Sequence, residues 1–369
     1  MPATSSVTTK YSEREVKATL LELSRNLQKH LQHKRFTERE ISVACSDEYK
    51  DLSWLSHQET NSILDCPTDE ERISLLCHRI RFSLLPSLRI ASRVPAYILV
   101  EPTSVCNLRC PMCFQADKTF TTNEFMGKMD LAFFKSITNS AASDGIGAIT
   151  LASRGEPTLH PDLEKMLAHL KDKFIEKKIN TNATRLTEAI SRAILESGFN
   201  HIIFSCDSHL KEEYEQLRKG ASFETVLNNI KSFWALRNSD EFMNHKIRVS
   251  ISGVKVIDSQ NEEEFSKFWS SYCDDAYLNP AEERWDTYFN SVHPDITDSC
   301  VYPWERLYVW HDGTLNPCDV DYKSLLSPGN IKDFESIEHA WNKLSSLREA
   351  HLNNQRCNFA PCDRCGVSH

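Results

Sequence analysis

Apolar positions recur along this chain with two different periods, and the change from one to the other divides it. From Tyr11 to His33, Val16, Leu20, Leu23 and Leu27 fall on one helical face. Asp69–Leu84 opens with an acidic turn just after Pro67, as helices commonly start. Residues 1–92 therefore read as a charged helical extension packed on the core, a natural cover for one of its ends. From residue 93 to 280, short apolar runs alternate with amphipathic stretches. Strands are expected at Tyr97–Pro102, Ala148–Ala152, Lys178–Asn182, His201–Cys206 and Arg248–Ile257, with a sixth near Ala276–Leu278. Helices are expected between them at Asp130–Ala142, Asp162–Phe174, Thr187–Glu196, Phe223–Leu236 and Glu262–Tyr272. That alternation is the pattern of successive parallel βαβ units. About six such units predict an α/β fold, a partial (β/α)6 barrel with its chemistry at the C-terminal strand ends.

Residues 281–369 lose this rhythm. Tyr308–Trp310 and Leu315–Asn316 read as a β-hairpin closed by Asp312-Gly313, and a helix is expected over Ile337–His351. No internal repeat or low-complexity tract interrupts the chain.

Composition narrows the function classes. Apolar residues make up 40% and charged residues 26%, an ordinary globular balance. The net charge of −9, without a large basic block, argues against nucleic acid as a partner. The first residues lack the apolar core of a secretory signal, and no later apolar run is long enough to span a bilayer. The expectation is a cytoplasmic protein with no membrane partner, in a compartment that keeps thiols reduced. Its 13 cysteines then point to metal rather than disulfides. Cys45, Cys66 and Cys77 are too scattered for a metal site and read as buried thiols.

Cys106, Cys110 and Cys113 follow the first expected strand, with gaps of three and two residues, and Phe114 comes next. Three thiolates on one loop can each hold one iron of a cubane, which normally takes four cysteines. The fourth iron stays open, and an open metal position is where a substrate can coordinate. Zinc with a distant fourth ligand, or three plain thiols, are the alternatives. The loop's position at a strand's C-terminal end argues against both.

This loop resembles the signature of the radical S-adenosylmethionine superfamily. The resemblance implies that Cys106, Cys110 and Cys113 bind a [4Fe–4S] cluster whose open iron is chelated by S-adenosylmethionine. Reductive cleavage then gives a 5′-deoxyadenosyl radical that abstracts hydrogen from substrate. Further segments resemble the family in the order expected along the barrel. Phe114 matches the aromatic residue near the adenine. Arg154-Gly155-Glu156-Pro157 is similar to the Gly-Gly-Glu-Pro stretch, with Glu156 the contact to the methionine ammonium; it departs from the pattern in having Arg154 for the first glycine. Thr181-Asn182-Ala183-Thr184 places Asn182 beside the cofactor. Ser205-Cys206-Asp207 resembles the Ser-x-Asp that approaches the ribose, through Ser205 and Asp207. Strand alternation turns Cys206 outward, into the core. Taken alone, Arg154-Gly155-Glu156-Pro157 reads rather as a capped turn before the helix at Pro161, and the segments after the third and fourth strands are compatible with ordinary strand-end turn chemistry.

The C-terminal zone adds Cys300, Cys318, Cys357, Cys362 and Cys365. A hairpin joining Cys300 to Cys318, with a terminal pair two residues apart, supplies four thiolates, enough for a cubane or one zinc ion. The layout resembles the SPASM, or shorter twitch, extension of radical S-adenosylmethionine enzymes. It implies one auxiliary [4Fe–4S] cluster on Cys300, Cys318, Cys362 and Cys365, with Cys357 spare or an alternative ligand. A cluster bound by four thiolates has no vacant iron and is suited to carrying electrons. The resemblance thus implies an oxidoreductase fed by an external donor such as flavodoxin or ferredoxin. A small, sugar-like substrate is favoured by the lack of an obvious peptide-capturing module and by the polar, aromatic stretch Glu282–Tyr288. A maturase of ribosomally made peptides and a non-catalytic metal-binding scaffold are the alternatives. Asp319, Asp321 and Tyr322 follow Cys318 as conceivable acids or bases, although aspartate at a hairpin end is commonly structural.

Overall fold

The computed structural model describes residues 11–245, 247–281, 287–292, 296 and 298–366. Six strands run in sequence order through its centre: β1 (Tyr97–Val100), β2 (Ala148–Leu151), β3 (Glu176–Thr181), β4 (His201–Ser205), β5 (Arg248–Lys255) and β6 (Asp275–Pro280). Each pairs in parallel with the next. All six lie where the apolar pattern expects them. The five expected crossover helices are present as Leu131–Ser143, Leu163–His169, Glu188–Glu196, Phe223–Arg237 and Glu262–Trp269. Four of them start at a side-chain cap: Asp130, Thr187, Ser222 and Asn261 each accept a bond from a first-turn backbone N–H. Period-two alternation sends Ile98, Val100, Ile179, Phe204 and Ile251 toward these helices. There they join Phe134, Met166, Ile194 and Phe233 in the main apolar core.

The C-terminal zone extends this sheet rather than leaving it. β7 (Arg306–Val309) pairs in parallel with β1, Tyr97 opposite Arg306 and Val100 opposite Val309. β8 (Leu315–Asn316) returns antiparallel to β7. The result is one open sheet of eight strands in the order β6-β5-β4-β3-β2-β1-β7-β8. The expected Asp312-Gly313 turn closes the hairpin, with Gly313 at φ +94°, a conformation that favours glycine. The expected helix Ile337–His351 is interrupted. It forms Ile337–Asn342 and Ser345–Leu352 because Lys343-Leu344 turns Leu344 into the core.

The N-terminal zone is helical throughout, with its own apolar core of Leu23, Leu27, Leu31, Ile63, Leu76 and Ile80. Four of its helices open on a reciprocal Ser/Thr-x-x-Glu cap, at Ser12, Thr37, Ser56 and Thr68. Each such cap is worth about 1 kcal/mol. The zone docks on the N-terminal strand ends, away from the Cys106 loop. His78 Nε2 lies 3.1 Å from Glu176 Oε2 at the start of β3, Arg79 pairs with the same carboxylate, and Arg81 donates to the Gly145 carbonyl at 3.0 Å. No helix among the described residues is long and apolar enough to cross a membrane.

Candidate functional site

Past the end of β1 the chain turns through Glu101–Val105 into the loop carrying Cys106, Cys110 and Cys113. The turn is fastened by Thr103, whose hydroxyl donates to the Gly127 carbonyl at 2.7 Å and accepts from Val105 N at 3.1 Å. Within the loop, Cys113 N donates to the Cys110 carbonyl at 3.1 Å, and the three thiols feel one another electrostatically. Burial pushes the Cys106 thiol up to about 11 and Cys113 to about 12, and raises Cys110 as well. Coordination to iron reverses that preference by taking each as a thiolate.

The segment after β2 lies directly on this loop. Glu156 N donates to the Val105 carbonyl at 3.0 Å. A Cβ on Gly155 would stand 2.2 Å from the Thr103 carbonyl and 2.7 Å from that of Val105. The backbone of residues 103–105 fills the space a side chain would need, so glycine is required here by close approach. Ser153, just before, takes φ +113°, a region side-chain-bearing residues rarely adopt.

Arg154, which stands where the family pattern has glycine, is buried with its guanidinium turned toward the C-terminal zone. Nε and Nη2 donate to the two oxygens of Glu101 at 2.8 and 2.7 Å, and Nη1 donates to the Tyr322 carbonyl at 2.9 Å. The guanidinium also lies 4.2 Å from the centre of the Trp310 ring. Glu101 further accepts from His311 N at 3.2 Å. Burial pushes the Glu101 carboxyl up, but Arg154 and His311 outweigh it and hold it down to about 2. Sequence reasoning identified Arg154 only as a departure from pattern; its partner lies 53 residues earlier.

Glu156 is buried, and it knits the ends of β2 and β3. Oε1 accepts from Thr158 N, Thr158 Oγ1 and Thr181 Oγ1, at 3.0, 2.6 and 2.6 Å. Oε2 accepts only from Asn182 N, at 2.7 Å, and so keeps a lone pair for a ligand donor. Asn182 donates to Asn107 Oδ1 at 3.1 Å and lies 3.9 Å from Cys106 Sγ. Three of the sequence-derived candidates, Cys106, Glu156 and Asn182, thus meet at one place.

Ser205 is half-buried at the end of β4, while Cys206 is fully buried in the helix-facing core, as the alternation requires. Asp207 does not open toward a ligand. Its carboxylate accepts from Arg218 Nη2 at 2.8 Å and from Val254 N at 2.9 Å. Arg218, on the loop after the helix Lys211–Leu217, also reaches the Cys110 thiol. It is a site residue that sequence reasoning missed. Only the contact pattern reveals it, since arginine at a helix end is ordinary. Phe114 stacks on Tyr322, ring centres 5.1 Å apart, and Tyr322 Oη donates to Asp117 at 2.8 Å.

In the C-terminal zone, Cys300, Cys318, Cys362 and Cys365 line one cavity together with His351 and Arg356. Cys357 is not among its walls. Arg356 fixes the terminal turn by donating to the carbonyls of Cys365 at 2.8 Å, Cys362 at 3.1 Å and Asp298 at 3.1 Å. His351 Nδ1 accepts from Cys300 N at 3.2 Å, which leaves the ring proton on Nε2. That Nε2 is buried with no partner. Among the described residues no three histidine, cysteine or acidic side chains converge closely enough for a single metal ion. Four thiols spread around a cavity, with a buried N–H donor beside them, fit a polynuclear cluster better than zinc.

Asp321 accepts from Tyr288 Oη, Leu325 N and Leu326 N at 2.6, 2.9 and 2.7 Å. It is a structural hub of the turn after Cys318, and burial raises it to about 6. Residues 282–286 of the polar stretch lie outside the described residues; Tyr288, at its end, is committed to Asp321. Cys273 is buried in the core and its thiol donates to the Trp269 carbonyl.

Comparison with known proteins finds family matches over both cysteine-bearing regions. The radical SAM superfamily profile matches residues 100–265 and the SPASM iron–sulfur cluster-binding domain matches residues 300–366. Among curated relatives, the tungsten-containing aldehyde ferredoxin oxidoreductase cofactor-modifying protein of Pyrococcus furiosus is 34% identical over 30% of this chain and 30% of its own length. The GTP 3′,8-cyclase of Limosilactobacillus fermentum is 25% identical over 64% of this chain and 67% of its own. Apart from that cyclase, the chain spans less than half the length of the first curated relatives it matches. Among solved structures, BtrN in complex with AdoMet and 2-DOIA superposes with a TM-score of 0.52, 20% identity, and 73% and 92% of the two chains covered. Streptococcus suis SuiB bound to S-adenosylmethionine gives 0.52, 14% identity, and 96% and 88%. These two likenesses bear on the fold.

Proposed function

Since the chain belongs to the radical S-adenosylmethionine superfamily and ends in a SPASM iron–sulfur domain, we propose that it oxidises a small, polar, sugar-like substrate by hydrogen abstraction. Cys106, Cys110 and Cys113 would hold the cluster that binds S-adenosylmethionine, and Cys300, Cys318, Cys362 and Cys365 the auxiliary cluster. Bound there, S-adenosylmethionine would supply a carbon radical able to remove one hydrogen atom from substrate, and a four-thiolate auxiliary cluster would supply an acceptor for the electron that remains. The substrate loses one further proton, so the balance is a two-electron oxidation.

The chain's own residues do the positioning. Gly155 and Glu156 press the backbone after β2 onto the cysteine loop, and the remaining lone pair of Glu156 Oε2 accepts from the methionine ammonium. Asn182 holds Cys106 from the β3 side. Ser205 faces the ribose, and Asp207 acts at one remove, by orienting Arg218 against Cys110. Phe114, backed by Tyr322, presents its other face to the adenine. A flavodoxin or ferredoxin is the class of donor that would feed the first cluster.

The observation that carries the oxidative reading is the gathering of four cysteines around one cavity, a ligand count that leaves a cubane no open iron. Anaerobically reconstituted protein should convert S-adenosylmethionine to 5′-deoxyadenosine under dithionite, and a sugar-type substrate to a product two hydrogens lighter, in equal amounts. Cys318→Ala should still cleave the cofactor yet give no oxidised product. Absence of 5′-deoxyadenosine from the wild type, or full oxidation by the Cys318 variant, would overturn the proposal.

A further inference from the structure

Three loops meet on the solvent side of the Cys106 site, and they are bonded to one another. Asn107 Nδ2 donates to Thr184 Oγ1 at 2.9 Å, and Arg109 N donates to the Lys219 carbonyl at 3.0 Å. Gly220, at φ +100°, lies so close that a Cβ there would stand 3.2 Å from the Asn107 carbonyl oxygen. The side chains these loops present are therefore held as one set.

Their charge is one-sided. Residues 106–113, 181–187 and 216–222 carry Arg109, Arg185, Arg218 and Lys219 and no carboxylate. In a chain of net charge −9, that is a local reversal of sign. Arg218 is matched by the buried Asp207, whereas Arg109, Arg185 and Lys219 are exposed. Carboxylates close by in sequence are engaged elsewhere, Glu188 with Arg192 and Glu215 with Phe223 N. Arg109 uses only Nη1 within its loop, donating to the Cys106 and Leu108 carbonyls at 2.9 and 2.8 Å. Its Nε and Nη2 form the guanidinium edge that pairs best with a carboxylate.

We propose that these three cations form the docking surface for the electron donor, a small acidic protein that carries one low-potential electron and rings its cofactor edge with carboxylates. The acidic remainder of this chain repels such a carrier, so a local cationic patch both attracts and orients it. The carrier gives up one electron, the cluster on Cys106, Cys110 and Cys113 takes it up, and no atom changes place. The cationic surface is read from the loops alone; the assignment of its partner as the reductant rests on the function proposed above.

Calorimetry on the anaerobically reconstituted protein tests this, with an acidic flavodoxin and an acidic ferredoxin as probes. At least one should bind, and added salt should weaken it. Arg185→Gln/Lys219→Gln should weaken that carrier about tenfold, the scale of two exposed charge pairs, and flatten the salt dependence. Lys165→Gln/Lys171→Gln, which removes as much charge from the crossover between β2 and β3, should bind as the wild type does. Failure of both carriers to bind, or equal binding by the two double variants, overturns the proposal. Formation of 5′-deoxyadenosine driven by titanium(III) citrate, which needs no docking surface, reports on the parent reading separately, and the Arg185/Lys219 variant should match wild type there. If that reductant gives no 5′-deoxyadenosine while carrier binding still depends on Arg185 and Lys219, the parent function fails and the docking surface stands. If 5′-deoxyadenosine forms but the variant binds the carrier unchanged, the docking surface fails and the parent function stands.

Discussion

Removing the Arg154 guanidinium should destabilise the protein far more than removing any surface charge. Its partner, Glu101, is fully buried. Arg154→Met would leave that carboxylate with only His311 and the backbone N–H of residue 154 beside it. Truncating one member of a buried pair costs about 3–5 kcal/mol, because the other charge remains desolvated. The fall of the Glu101 carboxyl from 4.5 to about 2 corresponds to about 3 kcal/mol, the same order. The sign follows from the direction of the shift: a depressed carboxyl contributes in full above pH 4.5, and its contribution disappears as pH falls toward 2. Urea unfolding at pH 7, followed by circular dichroism, should therefore show a large drop in midpoint for Arg154→Met. Adding Glu101→Gln should recover much of it, since neither buried charge then remains. Lys165→Met, which removes an exposed partner of Asp162, serves as control, where such pairs are worth about 0–1 kcal/mol. If Arg154→Met costs no more than the control, or the second substitution recovers nothing, the buried-pair reasoning is wrong.

Two further outcomes follow from the C-terminal cavity. Cys357→Ala should keep the wild-type iron and sulfide content after reconstitution, whereas Cys362→Ala should lose one cluster's worth, as counted by chemical analysis. His351→Leu should load iron normally but lower the midpoint potential of the auxiliary cluster in a redox titration. A hydrogen bond from Nε2 to a cluster sulfur favours the reduced, more negative state, and leucine removes it.

Local order was legible wherever it depended on neighbours in sequence. The six parallel strands, their crossovers and the Asp312-Gly313 turn all follow from short-range patterns, as does the outward direction of Cys206. What escaped depended on distant partners. Arg306–Val309 is apolar enough to be a strand, yet nothing in it says that its neighbour is Tyr97–Val100, some two hundred residues earlier. The four Ser/Thr-x-x-Glu caps of the N-terminal zone were readable but do not say where those helices dock. Arg154 stood out only as the wrong residue in a familiar stretch; Glu101 and Tyr322, which explain it, lie 53 residues before and 168 residues after it. Arg218 carried no local signal at all.

The pairing of β7 with β1 has a consequence for electron transfer. The strand that leads into Cys106 and the strand that begins just after Cys300 are adjacent rungs of a single backbone ladder, not parts of two bodies joined by a tether. On the function proposed above, this ladder would help set the separation between the two cysteine sets and leave a hinge little scope to modulate the tunnelling distance. A one-residue slip of β7 would shift the proposed acceptor and turn Leu307 and Val309 out of the core at once, so packing and the proposed electron transfer would depend on the same four residues.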